Sequence, residues 1–183
     1  MTVESEAPVP KKKLPPKKRT PCQASVETAV DDALQDLRDL RDEVQEVIEN
    51  MPESLQQTNR YESLEECVST LEKADEEPSC PKCLSSVTAN WTENRQKLSR
   101  RVRRDNATAA LHAAVDAIDT WISWATEEEE EEEEEEKSDV KPEDVKKTKE
   151  DIQMEVDEAT SYRDEVNDIA DECDNADFPG MYG

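Results

Sequence analysis

The chain has almost no glycine, and this feature limits most strongly what it can fold into. Both glycines, Gly180 and Gly183, lie within the last four of its 183 residues. Tight β-hairpin turns and glycine-rich phosphate loops need backbone conformations that other residues adopt only at a cost. The sequence therefore argues against β-strands and against a nucleotide-binding loop, and it favours an all-α protein.

The composition predicts a thin core. Only 33% of the residues are hydrophobic and 4% are aromatic, while 39% are charged. Such a chain has too few apolar side chains to enclose the water-poor pocket in which catalytic groups acquire shifted pKa values. We therefore predict no enzyme activity. The predicted fold is an antiparallel three- to four-helix bundle, or a long helical hairpin, with coiled-coil-like seams and a disordered N-terminal tail.

Apolar residues at 3-4 spacing predict four helices. The first begins after Ser25, a good N-cap residue, and ends before Pro52. The second covers about residues 60–74. The third covers 84–125, carries all three tryptophans and is the element around which we expect the others to pack. The last starts between residues 138 and 143.

Shifts in composition divide the chain into four parts. Residues 1–23 are rich in proline and lysine and predict a disordered basic tail. Residues 24–126 hold the first three helices, and 138–183 hold the last helix and a tail that folds back onto the domain. Between them, 127–137 form a poly-Glu linker. Because like charges at i and i+4 repel, its glutamates form either an extended solvated segment or a frayed helix end. The basic run from Lys11 to Arg19 suits either a solubilising tail that lies on the acidic surface of the protein or a patch for nucleic acid or nuclear import.

The formal net charge of −25 and the five cysteines indicate the setting in which the protein works. No apolar run approaches the roughly 18 residues of a membrane span, and the N-terminus lacks the apolar region of a signal peptide. An odd number of irregularly spaced cysteines suits a reducing compartment. We expect a soluble cytoplasmic protein that binds no membrane. We expect it to bind nucleic acid only through its basic tail.

Cys80 and Cys83 form a C-P-x-C turn between two predicted helices. Two thiolates one turn apart supply half of a tetrahedral zinc site, and a second copy of the chain would supply the other half. Locally the turn resembles the zinc hook of coiled-coil DNA-repair ATPases. An ordinary loop with free thiols, a disulfide across a dimer and a redox pair are alternative interpretations.

A basic face lies on the third predicted helix, within the segment RQKLSRRVRR at residues 95–104. At about 100° per residue its cations fall on one side of the helix. The face either binds phosphate or pairs with acidic helices of the same chain, and the net charge favours internal pairing. Its members are Lys97, Arg100, Arg101, Arg103 and Arg104.

Three segments together resemble a family of uncharacterised acidic helical proteins encoded by tailed bacteriophages. They are LRDEVQEVIENMPESLQ at 40–56, RRDNATAALHAAVDAI at 103–118 and DFPGMYG at 177–183. The resemblance implies a phage origin, a helical fold and a place in the host cytoplasm. It transfers no activity and no functional residues.

Three binding functions fit these features. The first is a helical interaction protein that binds protein partners or forms a homodimer. The second is a counter-defence decoy that mimics the charge of DNA and occupies a basic host protein. The third is a protein that sequesters phosphorylated ligands on its basic face. We favour the first as the general prediction and treat the second as its sharper form.

Overall fold

The computed structural model describes residues 19–95, 99–135 and 149–179, with backbone alone for 128–135. The described chain is mostly helical, which confirms the predicted class in its coarse form, and it also contains a small two-stranded sheet. No described helix combines the length and the apolar character that crossing a bilayer requires. The main elements, in chain order, are β1 (Arg19–Ser25), α1 (Val26–Glu49), α2 (Asn59–Leu71), β2 (Thr88–Asn94), α3 (Arg100–Glu135) and α4 (Lys149–Asp174).

Helix α1 forms as its seam and its cap predict. The Ser25 side chain accepts a hydrogen bond from the Thr28 backbone N–H at 3.2 Å and so satisfies one of the free donors of the first turn. The helix ends at Glu49, before Pro52. The residues of α1 that are buried in the core are Val26, Ala29, Val30, Ala33, Leu34, Leu37, Leu40, Val44 and Ile48.

Helix α2 and the turn that follows it cover the second predicted helix. A 3-10 turn over Glu72–Asp75 continues α2 and brings Ala74 into the core. Arg38 of α1 holds this end by donating from Nε to the Ala74 carbonyl oxygen at 2.8 Å. A further 3-10 turn, Lys82–Leu84, leads into β2.

The prediction of one helix over residues 84–125 is wrong, as is the argument against strands. Residues 88–94 form β2, which pairs antiparallel with β1. Val87 and Trp91 are four residues apart, as on a helix face, but buried Ala89 between them also fits the two-residue period of a strand. The scarcity of glycine does not forbid this sheet, since two helices and not a tight turn connect its strands.

The N-terminal boundary also differs from the prediction. Residues 19–23, assigned to the disordered tail, belong to β1, while residues 1–18 lie outside the described part of the chain. Pro21 within β1 is compatible with a two-stranded sheet. Each strand of such a sheet has an outer edge whose N–H groups donate no hydrogen bond to the partner strand, and a proline is tolerated on that edge.

Helix α3 extends beyond the point where we expected a linker. Its backbone is helical through Glu135, so most of the acidic run continues the helix. The favourable intrinsic helix propensity of glutamate offsets the repulsion between like charges at i and i+4, once the alanine-rich segment has nucleated the helix. Residues 136–148, which include the expected start of the last helix, lie outside the described residues.

One hydrophobic core joins all four helices and Ala89 of β2. Helix α3 contacts both α1 and α4, and α1 contacts α2. Phe178 packs against this core after α4 ends, whereas residues 180–183 are outside the described chain. The buried residues of α4 are Val156, Ala159, Tyr162, Val166, Ile169, Ala170 and Cys173.

Candidate functional site

Cys80 and Cys83 lie beside α4 as half-buried thiols. The Cys83 thiol donates to the Glu155 carbonyl oxygen at 3.8 Å, and the Cys80 thiol lies beside the Tyr162 hydroxyl. Burial raises the pKa of both thiols above the ordinary cysteine value, which favours the protonated form rather than the thiolate that binds zinc. Within the described residues, no three metal-ligating side chains come together. Zinc shared between two copies stays a prediction.

Two arginines of the basic face converge on Glu43 of α1. Arg100 Nε donates to Glu43 Oε2 at 3.3 Å, and Arg103 bonds the other carboxylate oxygen. Hydrogen bonds from these guanidinium groups hold the pKa of Glu43 below its usual value. This contact therefore joins the start of α3 to α1.

Arg104 is buried, with 8% of its surface exposed. Its guanidinium donates to the Ala176 carbonyl oxygen and, at 2.6 Å, to the Asp105 carboxylate. It therefore fixes the segment that follows α4. Of the four arginines of the face, Arg101 alone is exposed, while Lys97 lies outside the described residues.

An open groove of about 490 Å³ runs between β2 and α3, and sequence reasoning did not identify it. We call it the tryptophan groove. On the α3 side its residues recur every three or four positions, as expected for one face of a helix. The groove is lined by Val87, Thr88, Asn90, Ala113, Asp116, Ala117, Thr120, Trp121 and Trp124.

The tryptophans give the groove its binding surface. Trp124 is 53% exposed, although a large aromatic side chain gains stability when it leaves water. An indole face attracts apolar side chains and also cations, which interact with its π system. Trp121 and Trp124 are therefore suited to a ligand that carries both.

The charge around the groove is acidic. Asp116 is the one ionisable residue in the lining. Between Arg104 and Lys137 the sequence contains three aspartates and ten glutamates but no lysine or arginine. Since α3 continues from Trp124 into the glutamate run, this end of the groove favours a cationic ligand.

The hydrogen bonds of the sheet define which backbone groups of β2 face the groove. The Val26 N–H donates to the Val87 carbonyl oxygen at 2.9 Å, next to the opposed pair Ser25 and Thr88. In an antiparallel ladder, hydrogen-bonded and non-hydrogen-bonded pairs alternate. The bond between Val26 and Val87 belongs to a hydrogen-bonded pair, so the next pair, Ser25 and Thr88, is non-hydrogen-bonded, and so is every second pair after it. The N–H and C=O groups of Thr88, Asn90 and Thr92 therefore point away from β1, and we call them the outer edge of β2.

One side chain of α3 already binds β2 at the end of this edge. The Asn94 N–H donates to Asn106 Oδ1 at 2.9 Å, and Asn106 Nδ2 donates to the Asn94 carbonyl oxygen at 3.3 Å. The amide of Asn106 thus occupies the place that a peptide group of a third strand would take. The described residues make no hydrogen bond to the outer edge beyond this point.

The sequence contained two signals of this site. Thr88, Asn90 and Thr92 alternate with Ala89 and Trp91, which is typical of a strand with one buried face. Trp121 and Trp124 lie three residues apart in a helix whose other apolar residues are mostly aliphatic. Neither signal shows that the strand edge lies beside the tryptophans.

Comparison with known proteins identified no relatives. No protein-family model, no curated protein and no solved structure matches the chain.

Proposed function

We propose that this chain is a non-enzymatic binding protein that captures a basic, partly apolar segment of another protein in the tryptophan groove. One observation carries the proposal. The half-exposed Trp124 and its neighbour Trp121 lie where α3 passes into a run of glutamates. A ligand that fills this place gains apolar contact from the indoles and electrostatic attraction from the carboxylates.

The groove suits a polypeptide better than a small molecule or a nucleic acid. It is open, and its helix side extends from Ala113 to Trp124, so it can hold an extended segment rather than enclose a compact ligand. A net charge of −25 repels nucleic acid, apart from the basic tail at residues 1–18. Arg100, Arg103 and Arg104 are engaged within the chain, which favours a protein partner over a phosphorylated ligand.

The chemistry of the lining supports binding without catalysis. Asp116 is its one ionisable residue, and acid–base catalysis commonly relies on a second group of matched pKa. As the scaffold that holds the groove we propose an antiparallel bundle of α1, α3 and α4, supported by their buried seams.

The resemblance to acidic phage proteins makes a basic host protein the partner that we propose, with the host cytoplasm as the place of action. Such a partner would be occupied by a decoy whose carboxylates imitate the charge of DNA. A second copy of this chain is the alternative occupant, but two copies each carrying −25 repel one another. A basic partner meets no such repulsion.

Binding of a defined peptide tests the proposal. The probe peptide alternates lysine and valine and carries a fluorescent label at its N-terminus. We expect saturable binding at low salt that weakens as salt rises, because exposed charges are screened. Substitution Trp124→Ala should weaken binding at least tenfold, the ratio that about 1.4 kcal/mol produces.

Met154→Ala is the matched control. Met154 is 57% exposed on α4 and does not line the groove, so its loss removes a comparable apolar surface elsewhere. We expect this variant to bind the probe peptide within about twofold of the parent, since isolated surface residues contribute little to binding. Absence of saturable binding by the parent chain, or equal losses in the two variants, would contradict the proposal.

A further inference from the structure

The outer edge of β2 is a row of backbone hydrogen-bonding groups that faces the tryptophan groove. We infer that the captured segment binds as an added β-strand along this edge, with alternate side chains on the tryptophans of α3. This inference rests on the proposed function and specifies the conformation and the sequence pattern of the partner segment.

The two edges of the sheet differ in their ability to accept a strand. On β1 the outward position opposite Thr92 is Pro21, which has no N–H, so that edge is interrupted. On β2, Thr88, Asn90 and Thr92 each present an outward N–H and C=O that no hydrogen bond of the described chain uses. An uninterrupted row of such groups is the template that strand addition needs.

Asn106 sets one end of the added strand. Its amide already binds both backbone groups of Asn94, so a partner segment begins or ends at the neighbouring outward residue, Thr92. The distance from Thr92 to Thr88 corresponds to about 14 Å of strand, or roughly five residues. The segment is therefore short, as expected for recognition of a linear motif.

The arrangement of α3 predicts the side chains of the segment. Successive side chains of a strand point to opposite faces, so every second residue contacts the helix and the others face solvent. Apolar residues are expected at the positions that reach Trp121 and Trp124. Lysine or arginine is expected at the end that passes Thr88, because α3 leads from there into its glutamates.

A proline at position 90 tests the inference on the protein. The N–H of Asn90 points away from β1, so Asn90→Pro removes a donor from the outer edge without removing a bond between β1 and β2. The ring of the proline also occupies space at that edge. We expect this variant to bind the probe peptide at least tenfold more weakly than the parent.

Gln23→Pro is the matched control. Gln23 lies directly opposite Asn90, and its N–H points outward on the other edge of the sheet. Both variants should keep the parent circular dichroism spectrum. Strand addition is supported if Gln23→Pro binds the probe peptide within about twofold of the parent while Asn90→Pro loses affinity. Equal affinity of the two folded variants overturns it.

Methylated peptides give the same test without altering the protein. One probe peptide is N-methylated on two successive valines and a second on two successive lysines. With the valines on the helix side, the valine N–H groups point to one edge of the added strand and the lysine N–H groups to the other, so only one of the two peptides keeps the edge that pairs with β2 free. We expect one methylated peptide to lose binding and the other to retain it. Equal affinity of the two methylated peptides would overturn the inference, even where Asn90→Pro fails to fold.

The outcomes distinguish this inference from the proposed function. A loss in Trp124→Ala with no loss in Asn90→Pro and no difference between the methylated peptides refutes strand addition and leaves capture in the groove standing. Absence of binding by the parent chain refutes both. A synthetic peptide of residues 1–18 is tested as a competitor of the probe peptide. If it displaces the probe peptide with equal affinity, the occupant of the groove is the chain's own tail, and an external segment is refuted.

Discussion

Replacing Asn106 by leucine should destabilise the protein by about 2 kcal/mol. The side chain makes two hydrogen bonds to the backbone of Asn94, at 2.9 and 3.3 Å. Each such bond contributes about 1 kcal/mol net, and leucine has a similar volume but can form neither. Asn94 is half-buried, so its released groups regain some contact with water and the loss should not greatly exceed this sum.

Urea unfolding followed by tryptophan fluorescence measures this loss. Trp91 lies on β2 and reports directly on the strand that Asn106 holds. In a chain of this length about 2 kcal/mol corresponds to a fall of about 4 to 8 °C in Tm, which thermal unfolding detects independently. An unchanged m-value would show that the variant unfolds in the same cooperative transition.

Asn167→Leu is the control for this prediction. Asn167 Nδ2 donates to the exposed Asp171 carboxylate at 3.0 Å, so leucine there also removes an asparagine hydrogen bond. Because water replaces this bond, its loss should change the free energy of unfolding by no more than about 0.5 kcal/mol. If Asn106→Leu is no less stable than Asn167→Leu, the amide does not hold β2 to α3.

Three further predictions concern the core and its ionisable groups. Leu37→Ala, at a fully buried position, should cost about 2 to 5 kcal/mol in urea unfolding, whereas Leu55→Ala, at a half-exposed one, should cost far less. Because the pKa of Glu43 is lowered in the folded protein, this carboxylate stabilises the fold above the carboxyl pKa of the unfolded chain, and the contribution is lost as pH falls through the folded pKa. In Glu43→Gln the free energy of unfolding should therefore fall less steeply as the pH is lowered. The difference from the parent should be at most about 1 kcal/mol, because the ion pairs are partly exposed. Burial raises the pKa of Cys67 to about 11 and that of Cys173 to about 12. Mass spectrometry should therefore find both thiols unmodified by iodoacetamide at pH 8 until the protein unfolds. Rapid modification in the native state would contradict their burial.

The helices could be predicted where local signals agree. For α1, a 3-4 apolar seam, an N-cap at Ser25 and a stop before Pro52 all indicate the same element, and the structure confirms it. The last helix was likewise predicted from 3-4 apolar spacing, and buried residues recur at that spacing in α4 from Ala159 to Cys173. Periodicity identifies such elements because burial of one face stabilises them more than local propensity does.

The sheet could not be predicted from local patterns. Val87 and Trp91 fit a helix as well as a strand, and the partner of β2 lies more than sixty positions earlier in the chain. Pairing at this separation depends on tertiary contacts that no short window contains. The tryptophan groove was missed for the same reason, since it exists only where the outer edge of β2 lies beside α3.

The acidic run shows a different difficulty. Repulsion between neighbouring glutamates argued for an extended linker or a frayed helix end, yet the backbone of α3 remains helical through Glu135. Exposed charges repel weakly in water, and the small cost per pair competes with a favourable propensity of similar size. A sequence alone does not determine which of two such small effects is larger.

Amide hydrogen exchange of the isotopically labelled protein tests the central claim most directly. When the probe peptide saturates the protein, strand addition predicts much slower exchange at the N–H groups of Asn90 and Thr92, which face outward. The N–H groups of Ala89 and Trp91, already bonded to β1, should change little by comparison. Saturated binding that leaves exchange at Asn90 and Thr92 unchanged would contradict the claim that the partner segment pairs with β2.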